Sequence, residues 1–339
     1  MHVVITGATG SVGSALVEAL GREPRVRSIT ALGRRVPERE SGKTFYVSAD
    51  VAEEQLAPVF EGADVVVHLA WRFQPEKRPD ELWSTNVLGS RRVFDAARQA
   101  GVGRLVNMSS FAAYAPREDF APVEESRART GIAASLYSRH KVDVERRLDE
   151  FERRYDGIDI VRLRPCATLG QSEASGFVKR FADSFPGSSF DDAAREIARH
   201  IASTPLQVVH VRDVAEALRL AVLGNARGAF NVVPRVARAN EDRGASNVVA
   251  TAASLAVKLR LSRVDQSLLD LAARAPLLDG GRAERVLGFG ASYTTEQVIV
   301  ETLSGPRHGA RELSNVRDVG RLTAQSSDTA HVSSQYHAS

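Results

Sequence analysis

A shortage of cysteine, of net charge and of long apolar runs sets the first limits on this 339-residue chain. Its single cysteine, Cys166, excludes an intrachain disulfide and is typical of a reducing compartment. We interpret Cys166 as a small buried side chain, because most lone cysteines pack in cores. No apolar stretch approaches the ~18 residues of a membrane span, and a strand pattern at the N-terminus leaves no room for a signal peptide. The sequence therefore predicts a cytoplasmic protein without a membrane anchor.

The formal net charge is only +3, so the composition gives no reason to expect nucleic acid as a partner. Arginine supplies most of the positive charge, because the chain contains only five lysines: Lys43, Lys77, Lys141, Lys179 and Lys258. Apolar residues make up 43% of the chain and charged residues 26%, as in ordinary soluble proteins. The length allows one large or two modest domains. We assign no metal ligands.

The N-terminus carries the most informative motif. The apolar residues 2–5 lead into Thr6-Gly7-Ala8-Thr9-Gly10-Ser11-Val12-Gly13, and an amphipathic helical pattern follows. A strand that stops at glycine and restarts as a helix leaves backbone N–H groups free at the positive end of the helix dipole. Gly7 allows the tight turn, Gly10 lets the backbone approach a pyrophosphate, and Gly13 lets helix pack on strand. This order of elements predicts a dinucleotide site rather than an ordinary turn.

Strand and helix patterns alternate over the first two thirds of the chain, which is typical of an α/β protein with a doubly wound parallel sheet. The predicted strands are residues 3–6, 28–32, 44–47, 65–69, 105–108, 158–163, 208–211 and 229–233, and the clearest helices are 81–100, 136–154 and 214–223. We expect Pro165 to end the ladder of the sixth strand, because proline has no N–H to donate.

These patterns predict a domain organisation. Residues 1–170 form a Rossmann-type NAD(P)-binding domain, to which residues 206–235 return. Residues 171–205 and 236–306 form a smaller C-terminal substrate-binding region, with helices at 248–261 and 266–275. Residues 307–339 are rich in serine, threonine, histidine and glutamine without apolar periodicity, so we expect a disordered tail.

Three side chains indicate a catalytic site. Tyr137 and Lys141 are four residues apart on the predicted helix 136–154, and this spacing puts both on one face. A phenol with a pKa of ~10 is a poor acid or base at neutral pH, but a neighbouring ammonium stabilises the phenolate. Ser110 follows the predicted strand 105–108, at the edge where open α/β sheets bind ligands. Its hydroxyl can donate to an oxygen that gains charge as hydride moves. Together the three residues favour a catalytic interpretation.

In combination and in order, the motifs of this chain resemble those of the extended short-chain dehydrogenase/reductases, the NAD-dependent epimerase/dehydratase family. The resemblance covers about residues 1–235 and 277–304. The motifs that carry it are Thr6-Gly7-x-x-Gly10-x-x-Gly13, Asp50-Val51, His68-Leu69-Ala70, Asn86-Val87-x-Gly89, Ser109-Ser110, Tyr137-x-x-x-Lys141, Arg162-Leu163-Arg164-Pro165, His210-Val211-x-Asp213-Val214-Ala215, Gly228-Ala229-Phe230-Asn231-Val232 and Arg282-Ala283-Glu284-Arg285-Val286-Leu287-Gly288-Phe289.

The resemblance implies that Tyr137 is the acid/base, Lys141 its electrostatic partner and Ser110 the polariser of the substrate carbonyl. It also implies that Asp50 and Val51 hold the adenine, although Asp50 without the motif would be an ordinary helix cap. The candidate cofactor-binding residues are Gly7, Thr9, Gly10, Val12, Gly13, Arg34, Asp50, Val51, Leu69, Ala70, Asn86, Tyr137, Lys141 and Pro165. His210 and Asp213 match the family too, but we interpret them as a strand end and a helix cap. A homodimer through helices 81–100 and 136–154 is a further implication.

The end of the second strand bears on the cofactor. A site that prefers NAD usually carries an acidic residue there, bonded to the ribose 2′-hydroxyl. Here the strand ends in Ala31-Leu32-Gly33-Arg34-Arg35, without an acid before Glu38. Arginine suits a 2′-phosphate, to which it can make two charge-assisted hydrogen bonds. Arg34 therefore favours NADP, while the family name favours NAD, and two solvated arginines are the alternative.

The reaction and the substrate stay open in the sequence. Dehydratases that resemble this family carry Thr-Asp-Glu where this chain has Ser110-Phe111-Ala112, which argues against a 4,6-dehydratase. Oxidoreduction at a secondary alcohol and epimerisation both remain, with a nucleotide-sugar-like substrate implied by the family. One alternative is an enzyme of steroid- or flavonoid-like alcohols, which the phenylalanines of residues 177–190 favour. Another is a dinucleotide-sensing regulator without turnover, which the intact Tyr137–Lys141 pair disfavours.

Overall fold

The computed structural model describes residues 1–37, 42–73, 78–170, 204–205, 207–235, 246–247, 271 and 274–304. The predicted helix 248–261, most of the predicted helix 266–275 and the predicted disordered tail 307–339 lie outside these residues. So does nearly all of the predicted substrate-binding segment 171–205. Among the described residues, none of the helices has both the length and the apolar character needed to cross a membrane.

The strands are β1 (His2–Thr6), β2 (Ser28–Gly33), β3 (Thr44–Ser48), β4 (Val65–His68), β5 (Arg104–Met108), β6 (Asp159–Pro165), β7 (Ala167–Leu169), β8 (Thr204–Pro205), β9 (Val208–His210), β10 (Gly228–Val232) and β11 (Ser246–Asn247). The helices are α1 (Ser11–Gly21), α2 (Ala57–Phe60), α3 (Pro79–Trp83), α4 (Gly89–Gln99), α5 (Leu136–Arg154), α6 (Val211–Leu223) and α7 (Thr295–Ser304). Strand therefore alternates with helix over the N-terminal part of the chain, as predicted.

Seven strands form one sheet in the order β10-β6-β5-β4-β1-β2-β3, and every neighbouring pair in it is parallel. The chain winds outward from β1 towards β3 and then, from β4, in the opposite direction. The crevice between the carboxyl ends of β1 and β4 is thus the topological switch point, where such sheets bind ligands. The predicted doubly wound α/β fold is confirmed.

Both faces of this sheet are covered, which explains the continuous apolar runs of its strands. Val3 and Ile5 of β1 belong to a core that α1 and α6 cover, whereas Val4 belongs to a second core under α2, α4 and α5. Successive strand side chains point to opposite faces, so a single strand feeds both cores.

The expectation that Pro165 ends the ladder of the sixth strand is confirmed, because Pro165 is the last residue of β6. It is buried and pairs with Val232 of β10. On its other side β6 pairs with β5 only as far as Leu163. The ladder tolerates the proline because it lies beyond that second partner, and the next residue, Cys166, donates its N–H to Val232 at 3.0 Å.

The predicted helix 81–100 needs a correction. The chain is helical from Pro79, and a π-helical turn, Ser84–Leu88, separates α3 from α4. Proline at the first helical position is favourable because its missing N–H would have no partner there. π-Helical turns add a residue to one turn and occur often at functional sites. Helix α5 has the predicted bounds, and the other shared elements differ from prediction by only a few residues.

Candidate active site

The glycine turn between β1 and α1 is held by close backbone contacts. Gly7 has a φ of +73°, and a Cβ there would lie 2.6 Å from the backbone nitrogen of Ala70. A Cβ on Gly13 would lie 2.3 Å from the carbonyl oxygen of Gly7. Both positions therefore exclude any larger residue. The turn brings the end of β1 against the segment that follows β4, at the topological switch point.

Helix α1 begins at this turn without a side-chain cap. Gly10 is its exposed N-cap residue, and the first turn contains no acidic residue. Of the residues that the structure describes, a Cβ on Gly10 would meet only the Gly7 carbonyl oxygen, at 3.4 Å, and no other described atom fills the space around it. An uncapped helix N-terminus presents N–H groups and positive potential to an anion. The cradle at Gly7 and Gly13 and the uncapped N-terminus fit a dinucleotide pyrophosphate.

Other predicted cofactor residues lie around the same edge of the sheet. Thr9 is exposed beside Gly33, whose Cβ would lie 2.8 Å from the Thr9 Oγ1. Arg34 and Arg35 follow β2, and both are exposed. Neither has an ion pair with another described residue. Cationic side chains thus stand at the end of β2, as the sequence predicts.

The remaining candidates differ in surroundings. Val51 is buried against Gly89 of α4, whereas the Asp50 carboxylate accepts the N–H of Ala52 at 2.9 Å and stabilises its own turn. Leu69 and Ala70 follow β4 and are half-buried, as is Val12 in α1. Pro165 is buried in β6, and no described contact joins it to the glycine turn.

The Asn86 side chain binds the backbone of another segment and does not present its amide to solvent. It lies in the π-helical turn and is buried. Its Oδ1 accepts the N–H of Arg72 at 2.7 Å, and its Nδ2 donates to the Arg72 carbonyl at 2.8 Å. This two-sided clamp fixes the chain just after β4, between Trp71 and Phe73.

The structure brings Ser110, Tyr137 and Lys141 together, as predicted. Ser110 follows β5 and caps a short 3₁₀ turn, its Oγ accepting the N–H of Ala112 at 3.2 Å. The Ser110 hydroxyl lies close enough to that of Tyr137 for hydrogen bonding to lower the pKa of the phenol. Lys141, one helical turn further along α5, donates from Nζ to the Met108 carbonyl at 3.0 Å. The Nζ atom is 5.7 Å from the centre of the Tyr137 ring.

The electrostatics of this group are governed by burial. Burial raises the pKa of Tyr137 to about 12, and hydrogen bonding with Ser110 opposes that shift. Burial lowers the pKa of Lys141 to about 7, against the attraction of Glu145. The lowered phenol pKa that the spacing predicts is therefore absent from the protein alone. A buried lysine near its titration point is nonetheless suited to acid–base work at neutral pH.

Glu145, a residue that sequence reasoning missed, anchors the charge pattern behind the site. It is one helical turn beyond Lys141 and is 1% exposed. Its carboxylate accepts the Ser109 hydroxyl at 2.6 Å and two bonds from Arg164, at 2.7 and 2.8 Å. Burial alone would raise the pKa of Glu145, but Arg164 and its other partners lower it to about 2. The position four residues after Lys141 was the available signal.

Two aromatic residues after β4 were also missed. The Trp71 ring lies 3.6 Å from the Lys141 Nζ and meets the Tyr137 ring edge to face, with centres 5.6 Å apart. Phe73, 49% exposed, contacts the same tyrosine, with its ring centre 5.1 Å from that of Tyr137. Their place directly after Leu69 and Ala70 was the signal in the sequence.

His68 and His210 have structural roles. His68 bonds Thr6 at 2.7 Å and Ser90 at 2.8 Å, and burial lowers its pKa to about 3. His210 ends β9, as expected, and it also caps α6, because its Nδ1 accepts the N–H of Arg212. Asp213 is not a helix cap, which corrects the prediction. Its carboxylate instead accepts N–H groups of Ser292 and Tyr293, at 2.9 and 3.1 Å.

Comparison with known proteins places the chain in a family. Residues 3–232 match the model of the NAD dependent epimerase/dehydratase family. The match spans more than half of the chain and includes the glycine turn, Ser110, Tyr137 and Lys141. The chain therefore belongs to the NAD-dependent epimerase/dehydratase family, whose members are enzymes, as the motifs predict.

Sequence relatives within the family differ in activity. An L-arabinose 1-dehydrogenase (NAD(P)(+)) of Haloferax volcanii is 38% identical over 110 residues, 32% of this chain and 41% of that relative. Sterol demethylase protein B of Methylococcus capsulatus is 29% identical over 232 residues, 67% of this chain and 68% of that protein. A UDP-glucose 4-epimerase of Streptomyces lividans is 33% identical over 137 residues, 37% of this chain and 41% of that enzyme. The chain thus matches less than half the length of two of these three relatives.

Solved structures share the fold over most of the chain. MoeE5 in complex with UDP-glucuronic acid and NAD has a TM-score of 0.65 at 23% identity, covering 90% of this chain and 98% of that one. The dTDP-glucose 4,6-dehydratase DesIV of Streptomyces venezuelae, with NAD bound, has a TM-score of 0.67 at 21% identity, covering 90% and 96%. Likeness at this level of identity establishes the fold.

Proposed function

We propose that the chain catalyses NAD(P)-dependent hydride transfer at a secondary alcohol or ketone, with Tyr137 as the acid/base. The observation that carries the proposal is the meeting of Ser110, Tyr137 and Lys141 at the carboxyl edge of the sheet, where the Lys141 Nζ lies 5.7 Å from the centre of the Tyr137 ring and the Ser110 hydroxyl is close enough to lower the pKa of the phenol. Few other arrangements place a hydroxyl donor, a titratable phenol and a buried ammonium beside a dinucleotide crevice.

Each of the three side chains has a distinct task. Ser110 donates a hydrogen bond to the substrate oxygen, which gains negative charge on oxidation of the alcohol. Tyr137 takes the hydroxyl proton in that direction and returns it in the other. The Lys141 ammonium favours the phenolate, which offsets the rise that burial imposes on the pKa of Tyr137. The nicotinamide ring, when bound, accepts or supplies the hydride.

The cofactor is held, in this proposal, by the glycine turn and the residues around it. The uncapped N-terminus of α1 binds the pyrophosphate. Asp50 and Val51 bind the adenine, and the rest of the cofactor site is lined by Leu69, Ala70 and Pro165. Arg34 contacts a 2′-phosphate, so NADP is preferred over NAD. Its exposure and its lack of an ion pair among the described residues support this role. Several of the structural neighbours are complexes with NAD, which leaves NAD as the alternative.

The first candidate substrate class is the nucleotide sugars, because the UDP-glucose epimerase relative and the neighbours with bound sugar nucleotides share the family or the fold. We keep the prediction that residues 171–205 and 236–306 bind the substrate. Native mass spectrometry of the purified chain separates the two reaction types. Retained NAD supports an epimerase, whereas an empty site with NADPH-selective thermal stabilisation supports a reductase that releases its cofactor.

An apolar ring alcohol is the second candidate, and one observation favours it. The Tyr137 ring contacts the rings of Trp71 and Phe73 and packs against the buried apolar cluster of Ala112, Ile132 and Leu271, against which Phe111 also packs. Such a wall contacts an apolar ring face well. The relative that matches 67% of this chain is, in addition, a sterol demethylase protein.

The test is a turnover assay with both classes of alcohol and both cofactors, followed by cofactor absorbance. The proposal expects reduction of NADP⁺ or NAD⁺ with at least one class or, for an epimerase, interconversion of two sugar epimers without net cofactor reduction, and loss of that turnover in Tyr137→Phe. Full activity in Tyr137→Phe would show the catalytic assignment to be wrong.

We also propose a cytoplasmic homodimer built through α4 and α5. Leu88 is an exposed apolar side chain, and Arg91 and Asp95 continue its face of the helix. Light scattering is expected to give twice the chain mass of 36.7 kDa, and Leu88→Arg is expected to halve it.

A further inference from the structure

Trp71 lies directly against Lys141, and none of the roles assigned so far explains its presence there. The centre of its indole ring lies 3.6 Å from the Lys141 Nζ, well inside the range of a cation–π contact. The same ring meets Tyr137 edge to face, at an interplanar angle of 78°. One aromatic side chain therefore touches both members of the proposed catalytic pair.

The position of Trp71 is fixed from outside the pair. Asn86 clamps both backbone polar groups of the adjacent Arg72, at 2.7 and 2.8 Å. The Arg72 guanidinium is bound in turn by Glu81 of α3 at 2.6 Å. The indole Nε1 is buried and has no hydrogen-bond partner among the described residues. The ring is therefore placed by the clamp, by its contacts with Lys141 and Tyr137, and by packing against the core under α2, α4 and α5.

Lys141 needs such a partner because few described groups compensate its charge. Its Nζ has one hydrogen bond, to the Met108 carbonyl. The titratable groups that face it are Tyr137 and Glu145 of α5 and His68 of β4, and burial keeps His68 neutral at physiological pH by lowering its pKa to about 3. Glu145 is already engaged by Arg164 of β6 and by Arg129. The indole face is thus a major contact of the ammonium.

We propose that Trp71 is a positioning residue for the Tyr137–Lys141 pair, whose indole face holds the Lys141 ammonium in place and stabilises its charged form. A charged Lys141 is the form that favours the Tyr137 phenolate. The consequence for catalysis rests on the proposed function. The contact itself does not, so it can be tested without substrate, cofactor or turnover.

The competing account makes Trp71 only an apolar lid that excludes water. The two accounts predict opposite changes for a Trp71→Leu variant. Loss of a cation–π contact destabilises the ammonium and lowers the pKa of Lys141, whereas loss of a lid admits water and raises it. Phenylalanine keeps an aromatic face, although one that binds a cation less strongly than tryptophan does. Trp71→Phe therefore separates the effect of the aromatic face from the effect of side-chain volume.

The experiment is an NMR titration of the full chain labelled with ¹³C at the lysine Cε. Five lysines give a simple spectrum, and Lys141→Met assigns the Lys141 signal. We expect a wild-type midpoint of about 7 for Lys141. Trp71→Leu is expected to lower it by about one pH unit, with Trp71→Phe between the two. Trp83→Phe is the matched control, because Trp83 packs on His140, with ring centres 5.5 Å apart, and should leave the midpoint unchanged.

An unchanged or raised midpoint in Trp71→Leu would overturn the proposal. If Trp71→Leu does not fold, the comparison of Trp71→Phe with wild type decides, and a downward shift is again required. Because the titration needs no turnover, its failure is distinguishable from a failure of the catalytic assignment.

Discussion

The glycine turn and the cluster around Tyr137 lie at the same edge of one sheet but are built in different ways. The turn is contiguous in sequence, and its shape depends on backbone contacts at Gly7 and Gly13 that leave no space for a Cβ. The cluster draws side chains from the ends of β4 and β5, from α5 and from β6, and its order depends on buried charge. Steric contacts therefore determine the shape of the turn, whereas electrostatic interactions determine the arrangement of side chains in the cluster.

This difference divides the proposed function between the two regions. A turn of backbone N–H groups can bind an anion but has no group that moves a proton. The cluster holds titratable groups whose pKa values burial has displaced, which is the property that acid–base chemistry needs. Variants in one region should therefore affect binding or folding, and variants in the other should affect turnover or pH dependence.

The largest expected effect is on turnover, in Tyr137→Phe. Removal of the phenolic hydroxyl deletes the acid/base, so the rate should fall by about 10²–10⁴. Fold and melting temperature should stay close to wild type, because the ring contacts remain. Tyr155→Phe, at the C-terminal end of α5 and outside the site, serves as control. An equal loss of rate in both variants would contradict the assignment.

The next effect is on stability, in Glu145→Gln. A neutral amide leaves Arg164 and its neighbours without their buried counter-charge, which costs about 3–5 kcal/mol. Because its native pKa of about 2 lies below the ordinary 4.5, the Glu145 contribution is complete above pH 4.5 and is lost as pH falls towards 2. Denaturant unfolding between pH 7 and 2 should show a shallower acid decline in the variant.

Glu150→Gln is the control for this experiment, since Glu150 is exposed on the same helix. Its unfolding curve should match that of wild type at each pH. A Glu145→Gln protein as stable as wild type at pH 7 would show that the buried network does not hold the cluster.

A smaller effect separates two glycines of the turn. Gly13→Ala places a methyl group against the Gly7 carbonyl and should cost about 1–3 kcal/mol of stability. Gly10 has a φ of −76° and open space around it, so Gly10→Ala should fold normally. It should nonetheless weaken cofactor binding, because the methyl group stands where the pyrophosphate approaches. Thermal melts and calorimetric titration check the two outcomes, and normal cofactor affinity in Gly10→Ala would contradict the placement.

The smallest effect concerns the choice of cofactor. Arg34→Ala should weaken NADPH binding about tenfold, or about 1.4 kcal/mol, and leave NADH binding unchanged. Arg35→Ala is the matched control on the neighbouring exposed residue. Equal affinities for the two cofactors in wild type would remove the argument for NADP.

The same two regions differ in how well the sequence predicts them. The glycine turn and the alternation of strands and helices are local patterns, and such patterns suffice to identify the fold. The meeting of Ser110 with Tyr137 follows from the parallel sheet, since both lie at the carboxyl edge of β5 or on the helix after it. The end of β6 at Pro165 could be predicted because proline has no N–H to donate, whereas its pairing with Val232 of β10, which is distant in sequence, could not.

For a related reason, the sequence did not predict the roles of Trp71, Glu145 and the π-helical turn at Asn86. Their roles depend on contacts between elements: an indole over a lysine, a carboxylate among arginines, and an amide that holds a loop backbone. A single sequence gives the spacing of such residues along a helix but not the burial that makes their charges interact. Asp213 shows the same limit, because its partners at residues 292–293 are far along the chain.

The central claim is that the turn binds the cofactor and the cluster carries out the acid–base chemistry. It is tested most directly by calorimetric titration of cofactor into Tyr137→Phe, together with a measurement of the turnover of that variant. The account predicts that turnover is lost while the cofactor Kd stays within about twofold of wild type, about 0.4 kcal/mol. Loss of cofactor affinity in proportion to the loss of turnover, or turnover that persists at the wild-type rate, would contradict it.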